Sequence, residues 1–231
     1  MSAAPVQLHR HADAMTWCTA IVQAIRDALP THTPGRLLLS GGNTPAPVYR
    51  ALARQPLHWP QLAIGLVDER WLPDGDANRN DTLVSQHLLA HQPAAEFQPL
   101  ARPRRGLDGS VATANIWWQR SHAPTVAILG MGNDSHTASL FPGAADLPAI
   151  AASREAYAAL DATGCAGAQA WPQRLTLTPT GLAACQHRLL LLRGQDKWET
   201  LQAALRHGDP ARHPVLHALA GPTPLQVHWC A

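Results

Sequence analysis

No stretch of this sequence approaches the roughly 20 consecutive apolar residues that a membrane-spanning helix needs. The opening residues, MSAAPVQLHRHADA, lack the apolar core of a secretory signal. Cysteine is scarce: Cys18, Cys165, Cys185 and Cys230 stand far apart and form no CxxC pair. That usage fits reduced thiols rather than a disulfide framework. Charged residues make up only 15 % of the chain, and the net charge of +2 comes without a face-wide cluster of Lys and Arg, which argues against a nucleic-acid partner. Internal repeats and long linkers are missing as well. The expectation is a soluble, cytoplasmic protein that binds neither membrane nor nucleic acid.

Several catalytic signatures are also missing. There is no GxSxG elbow to present a serine nucleophile. Gly130-Met131-Gly132 begins like a dinucleotide loop, but Ser135 occupies the place of its third glycine. Thirteen histidines invite a search for metal ligands, yet His87 and His91, and His9 and His11 beside Arg10, find no acidic or cysteine partner to complete a set. The eight tryptophans have no basic stripe beside them, so packing explains them better than base stacking. Neither a catalytic metal nor a dinucleotide site is therefore expected.

What the sequence does have is a core. Its 231 residues are 46 % hydrophobic, enough for one well-buried domain over residues 1–231. Solid apolar runs at 36–40, 62–67, 126–129 and 189–192 read as buried strands. Helical spacing at 12–29, 111–120 and 196–205, and around Val48 and Leu83, alternates with them. A further strand is expected at 174–178 and a closing edge strand at 225–229, while 144–172 gives no clear pattern. This alternation predicts an α/β fold, a three-layer Rossmann-like domain with a mainly parallel sheet. In such sheets ligands bind beyond the carboxyl ends of the strands.

Three strand ends carry unusual loops. Ser40-Gly41-Gly42-Asn43-Thr44-Pro45 combines glycines that let backbone approach a ligand with hydroxyl donors and a following helix, a way to cradle phosphate. Asp68-Glu69-Arg70 sets three charges at the end of an apolar strand. Arg70 could grip a phosphate or carboxylate, or pair with its acidic neighbours; Asp68 could act as a base or orient a neighbour. The third loop holds Asp134, His136 and Thr137. A histidine there can take a proton from water and return it to a leaving group near neutral pH, with Asp134 to orient the ring or stabilise its cation. Arg174 and Lys197 sit at strand and helix ends where the same site could use them.

Taken together, LLLSGGNTP (37–45), VDERWLP (67–73), LGMGNDSHTASLFPG (129–143), RLTLT (174–178) and the RGQDKWE stretch around Lys197 resemble the lactonase branch of the glucosamine-6-phosphate isomerase/6-phosphogluconolactonase family. The resemblance implies hydrolysis of 6-phospho-D-glucono-1,5-lactone, with His136, Asp134 and Arg70 as catalytic residues. It implies Ser40, Gly41, Gly42, Asn43, Thr44, Arg174 and Lys197 as phosphate-binding residues, with Asp68, Arg79 and Thr137 as further candidates. A small sugar phosphate is the partner it suggests, and a monomer or weak homodimer the expected state. Three places depart from the family pattern: Ser135 stands where glycine is usual, Arg79 precedes Asn80 where serine is usual, and Asn43 replaces a commoner serine. Two other readings stay open, an amino-sugar-phosphate isomerase or deaminase and a non-catalytic sugar-phosphate sensor. The absence of any acid in 138–143 disfavours proton shuttling between carbons.

Overall fold

The structure, a computed structural model, describes residues 6–31, 33–120, 122–168 and 170–231. The chain opens with strand β1 (Val6–His11) and helix α1 (Ala14–Ala28). Asp13 starts α1 by accepting the N–H groups of Met15 and Thr16, a capping box that satisfies donors the helix cannot. One face of α1 buries Trp17, Ile21, Val22 and Ile25. Next come β2 (Gly35–Leu39), α2 (Ala46–Leu52), β3 (Leu62–Leu66), β4 (Asp68–Arg70), α3 (Asn80–His87) and β5 (Glu96–Phe97). The second half contains α4 (Gly106–Gln119), β6 (Val126–Leu129), α5 (Leu147–Ala151), β7 (Tyr157–Asp161), β8 (Gln173–Leu177) and α6 (Pro179–Ala184). It ends with β9 (His187–Arg193), α7 (Gln195–His207) and β10 (Leu225–Cys230).

Seven strands form one sheet in the order β1-β10-β9-β6-β2-β3-β5, and every pairing in it is parallel. Leu37, Leu38 and Leu39 are all fully buried, as a strand covered on both faces requires. Burying each contributes about 1.5–3 kcal/mol relative to exposure. The α/β expectation holds.

Two details differ from the sequence reading. The strand at 225–230 is not an edge, because β1 pairs with it from Val6↔Leu225 to His11↔Cys230 and takes the outer place. The strand at 173–177 does not join the main sheet. It is the centre of a small antiparallel sheet, β4-β8-β7, in which Asp68 faces Thr176 and Arg70 faces Arg174. This second sheet brings the charged end of β4 against residues more than 100 positions later.

Candidate active site

The loops after β2, β4, β6 and β9 converge on one cavity of about 260 Å³. Four cations, Arg70, Arg174, Arg193 and Lys197, line it against the one lining carboxylate, Asp68. Such a wall favours an anionic ligand.

The first wall is the turn after β2. Gly42 adopts φ +88°, a left-handed backbone natural to glycine. Gly41 is required for a different reason: a Cβ there would lie 1.8 Å from Asn80 Oδ1. Ser40 is buried and lines the cavity, and its Oγ has no hydrogen-bond partner among the described residues. An orphan buried hydroxyl is costly unless something else meets it. Its carbonyl accepts the Tyr49 hydroxyl at 2.7 Å, which holds the turn. Thr44 lines the cavity, whereas Asn43 points to solvent and does not.

The second wall is β4. Glu69 is fully buried and accepts the N–H groups of Arg70 (2.7 Å), Asn80 (2.7 Å) and Asp81 (2.8 Å). Burial pushes its carboxyl up to about 7, with those three N–H donors resisting. Glu69 thus caps α3. The Arg70 side chain pairs with neither acid: Nη1 donates to Asn78 O (2.6 Å) and Asn80 Oδ1 (3.1 Å). Its buried Nε has no partner, and its guanidinium lies 5.1 Å from the Trp171 ring. Directly across the strand pair stands Arg174, held by Trp171 O at 2.6 Å and Ala168 O at 3.1 Å. Burial holds the Arg174 guanidinium below the usual arginine range; Asp68 resists that and Arg70 adds to it. Like charges opposed in a sheet are destabilising, and a bound anion would relieve the pair.

Arg79 goes elsewhere. It is 2 % exposed and bonds Asp81, Asp74, Leu72 O and Ala101 O. It fastens the loop before α3 and does not line the cavity; Asn80, the next residue, does. Thr137 is likewise a structural residue, since its Oγ1 donates to Gly130 O at 2.8 Å inside the loop.

The third wall holds the histidine. His136 lines the cavity. Its Nδ1 lies 2.6 Å from Asp134 Oδ1, and its backbone N–H reaches the same oxygen at 3.2 Å. Among the described residues Nε2 has no hydrogen-bond partner. The ring packs on Phe141 at 4.5 Å between centroids. Burial alone would raise the Asp134 carboxyl, but the ring hydrogen bond and charge of His136 outweigh it and hold Asp134 below the ordinary value. Two glycines make room for the pair. A Cβ on Gly132 would lie 2.1 Å from His136 Nδ1, and one on Gly167 2.2 Å from Asp134 Oδ2. Ser139 joins this loop to β4 and β8: its Oγ donates to Asp68 Oδ2 at 2.5 Å and its N–H to Thr176 Oγ1 at 3.0 Å.

Lys197 closes the cavity from α7, donating from Nζ to Met131 O at 2.7 Å. Burial lowers its ammonium from the usual lysine value, against the pull of Asp134 and Asp196. Sequence reasoning missed Asn80, Gly167 and Arg193 as lining residues. Arg193 carried a usable signal, for it ends an apolar strand as Arg70 does. Gly167 lies in the stretch without periodicity and carried none. Among the described residues, no three of His, Cys, Asp or Glu are placed to hold a metal ion.

The arrangement offers an imidazole backed by a carboxylate, a hydroxyl without a partner among the described residues, and cations lining one small cavity. Residues 9–229 match the family model described as glucosamine-6-phosphate isomerases/6-phosphogluconolactonase. A 6-phosphogluconolactonase of Xylella fastidiosa (strain 9a5c) is 46 % identical over 233 residues, covering 99 % of this chain and 98 % of the relative. One from Pseudomonas aeruginosa is 38 % identical over 89 % of this chain and 85 % of its own. The crystal structure of a 6-phosphogluconolactonase from Shewanella baltica OS155 superposes with a TM-score of 0.88 at 26 % identity, covering 99 % of both chains. The chain belongs to the glucosamine-6-phosphate isomerase/6-phosphogluconolactonase family.

Proposed function

We propose that this protein hydrolyses 6-phospho-D-glucono-1,5-lactone to 6-phospho-D-gluconate, the lactone-opening step of the oxidative pentose phosphate pathway. The observation that carries the reading is the meeting, in one cavity, of His136 backed by Asp134 with the Ser40–Gly42 turn and its cations. The relatives that bear this activity's name cover nearly the whole chain, which supports the same reading.

The phosphate lies against the Ser40–Thr44 turn, with Arg174 and Lys197 supplying charge. The unpartnered Ser40 hydroxyl becomes a donor to it. His136 Nε2 takes a proton from a water molecule as the water oxygen attacks the lactone carbonyl, while Asp134 accepts from Nδ1 and steadies the imidazolium. Arg70 offsets the negative charge that grows on the carbonyl oxygen. The tetrahedral intermediate then collapses: the bond from the carbonyl carbon to the ring oxygen breaks, and the imidazolium returns its proton to that oxygen. Collapse leaves a carboxylic acid and a free hydroxyl, the acid gives its proton to solvent, and the product departs as the carboxylate; the scheme uses no metal or organic cofactor. We place this activity in a single domain working in the cytoplasm, as a monomer or weak homodimer.

The test is a coupled assay on freshly generated phospholactone, corrected for spontaneous opening. Turnover well above that background is expected. A rate equal to background, with tight binding of 6-phosphogluconate, would instead favour the sensor reading.

A further inference from the structure

We propose that Arg193 is the residue that grips the substrate's phosphate as a fork and so sets the preference for phosphorylated over unphosphorylated lactones. The inference rests on the reading of the cavity given above and adds a residue to it. Arg193 is the last residue of β9 and is exposed. Side chains two apart on a strand share a face, and both Leu191 and Arg193 line the cavity.

The other three cations are already committed. Arg70 donates to Asn78 O and Asn80 Oδ1, Arg174 to Trp171 O and Ala168 O, and Lys197 to Met131 O. Arg193 differs: among the described residues its guanidinium has no hydrogen-bond acceptor and forms no ion pair. Its contact is the Trp17 ring, 5.9 Å from the guanidinium carbon, near the outer limit for a cation–π attraction. The fork is therefore free.

Its position fits a phosphate held by the turn after β2. In the sheet only β6 separates β9 from β2. β6 runs out into Gly130-Met131-Gly132, where Met131 is buried and the two glycines put no side chain in the way. Arg193 and the Ser40–Gly42 turn thus line the same cavity, one from each strand flanking β6. A planar guanidinium matches a phosphate dianion with two parallel hydrogen bonds, which an ammonium such as Lys197 cannot do.

The experiment compares wild type with Arg193→Gln and Arg193→Lys on 6-phosphogluconolactone and on unphosphorylated glucono-1,5-lactone, and titrates inorganic phosphate calorimetrically into each protein. For Arg193→Gln, KM for the phospholactone should rise about tenfold to a hundredfold, the loss expected for charge-assisted bonds, with kcat within about twofold. The preference for the phosphorylated substrate should shrink by the same factor, phosphate affinity should fall, and Arg193→Lys should recover only part of both. Unchanged KM and phosphate affinity in Arg193→Gln would overturn the proposal, as would a loss confined to kcat. If wild type opened no phospholactone, the functional reading would fail, and the phosphate titration alone would still decide for or against Arg193.

Discussion

Asp134 Oδ1 receives both the ring Nδ1–H and the backbone N–H of His136, at 2.6 and 3.2 Å. One carboxylate oxygen thus fixes the tautomer and the orientation of the imidazole, with Nε2 left for water. Asp134→Asn keeps the shape but can offer an NH₂ to Nδ1 and so favour the wrong tautomer. Its kcat should fall at least about tenfold, with the roughly 10⁴-fold loss known for the same change in a serine-protease triad as an upper bound. KM should change little. Steady-state kinetics on the phospholactone check this, and an unaltered kcat would show that the contact is structural only.

Gly167 makes a separate test of the same pair, because it lies outside every motif that resembles the family. A Cβ on it would sit 2.2 Å from Asp134 Oδ2 and 2.9 Å from His136 Nδ1. Gly167→Ala should displace the pair and lower turnover about 10²-fold, the scale of a misplacement near 1 Å. The melting temperature should barely move, since Gly167 is not in the core. Full activity in the variant would mean that the two side chains have room to spare.

Ser135 holds φ +65°, a left-handed conformation that costs a residue with a Cβ about 1–2 kcal/mol. Its hydroxyl is 2.9 Å from His213 Nδ1, and Val215 N–H donates to its carbonyl at 2.9 Å, so the His136 loop is tied to 213–215. Ser135→Ala keeps the strain and loses the hydroxyl's contacts with His213 Nδ1 and Asp134 O, and should destabilise by about 0.5–1.5 kcal/mol. Ser135→Gly loses the bond but sheds the strain, so it should stay within about 1 kcal/mol of wild type. Denaturant melts of the three proteins decide this. Equal stability of the Ala and Gly variants would remove the backbone argument.

The acid limit of stability should carry a mark from His228. This ring is 2 % exposed and stacks between His9 (4.6 Å) and His11 (5.4 Å). Burial, then the charges of those two histidines, drives it from 6.5 down to about 3. Below pH 6.5 the unfolded chain binds a proton here that the folded chain refuses, so stability falls as pH drops from 6.5 towards 3. The slope is at most about 1.4 kcal/mol per pH unit. Glu69, raised to about 7, acts oppositely between about 4.5 and 7, so the difference from a variant isolates the histidine. The stability of wild type relative to His228→Gln should worsen steadily from pH 6.5 to 4.5. A gap independent of pH would contradict the linkage.

How far the sequence reached follows from burial. β2, β3, β6 and β9 lie inside the sheet, so they are written as apolar runs that need no context. β1, VQLHRH, is an edge strand with Gln7, Leu8 and Arg10 in water and no fully buried residue, and its polar sequence hid it. The three motif loops were legible because glycines, charges and a histidine at strand ends are costly without a purpose. Arg79 was misjudged because its fate depends on Asp74 and Asp81 folding back around it, a tertiary fact that no spacing encodes. Gly167 reaches the site only because β7 and β8 carry an unpatterned segment over Asp134.

The proposed role of His136 in moving the proton of lactone opening is measured most directly by the turnover of His136→Ala on fresh 6-phosphogluconolactone beside its circular dichroism melt. General acid–base help is worth about 10²- to 10⁴-fold, so kcat should fall by that order while the half-buried site leaves the melt nearly unchanged. Wild-type turnover in a folded His136→Ala protein would contradict it.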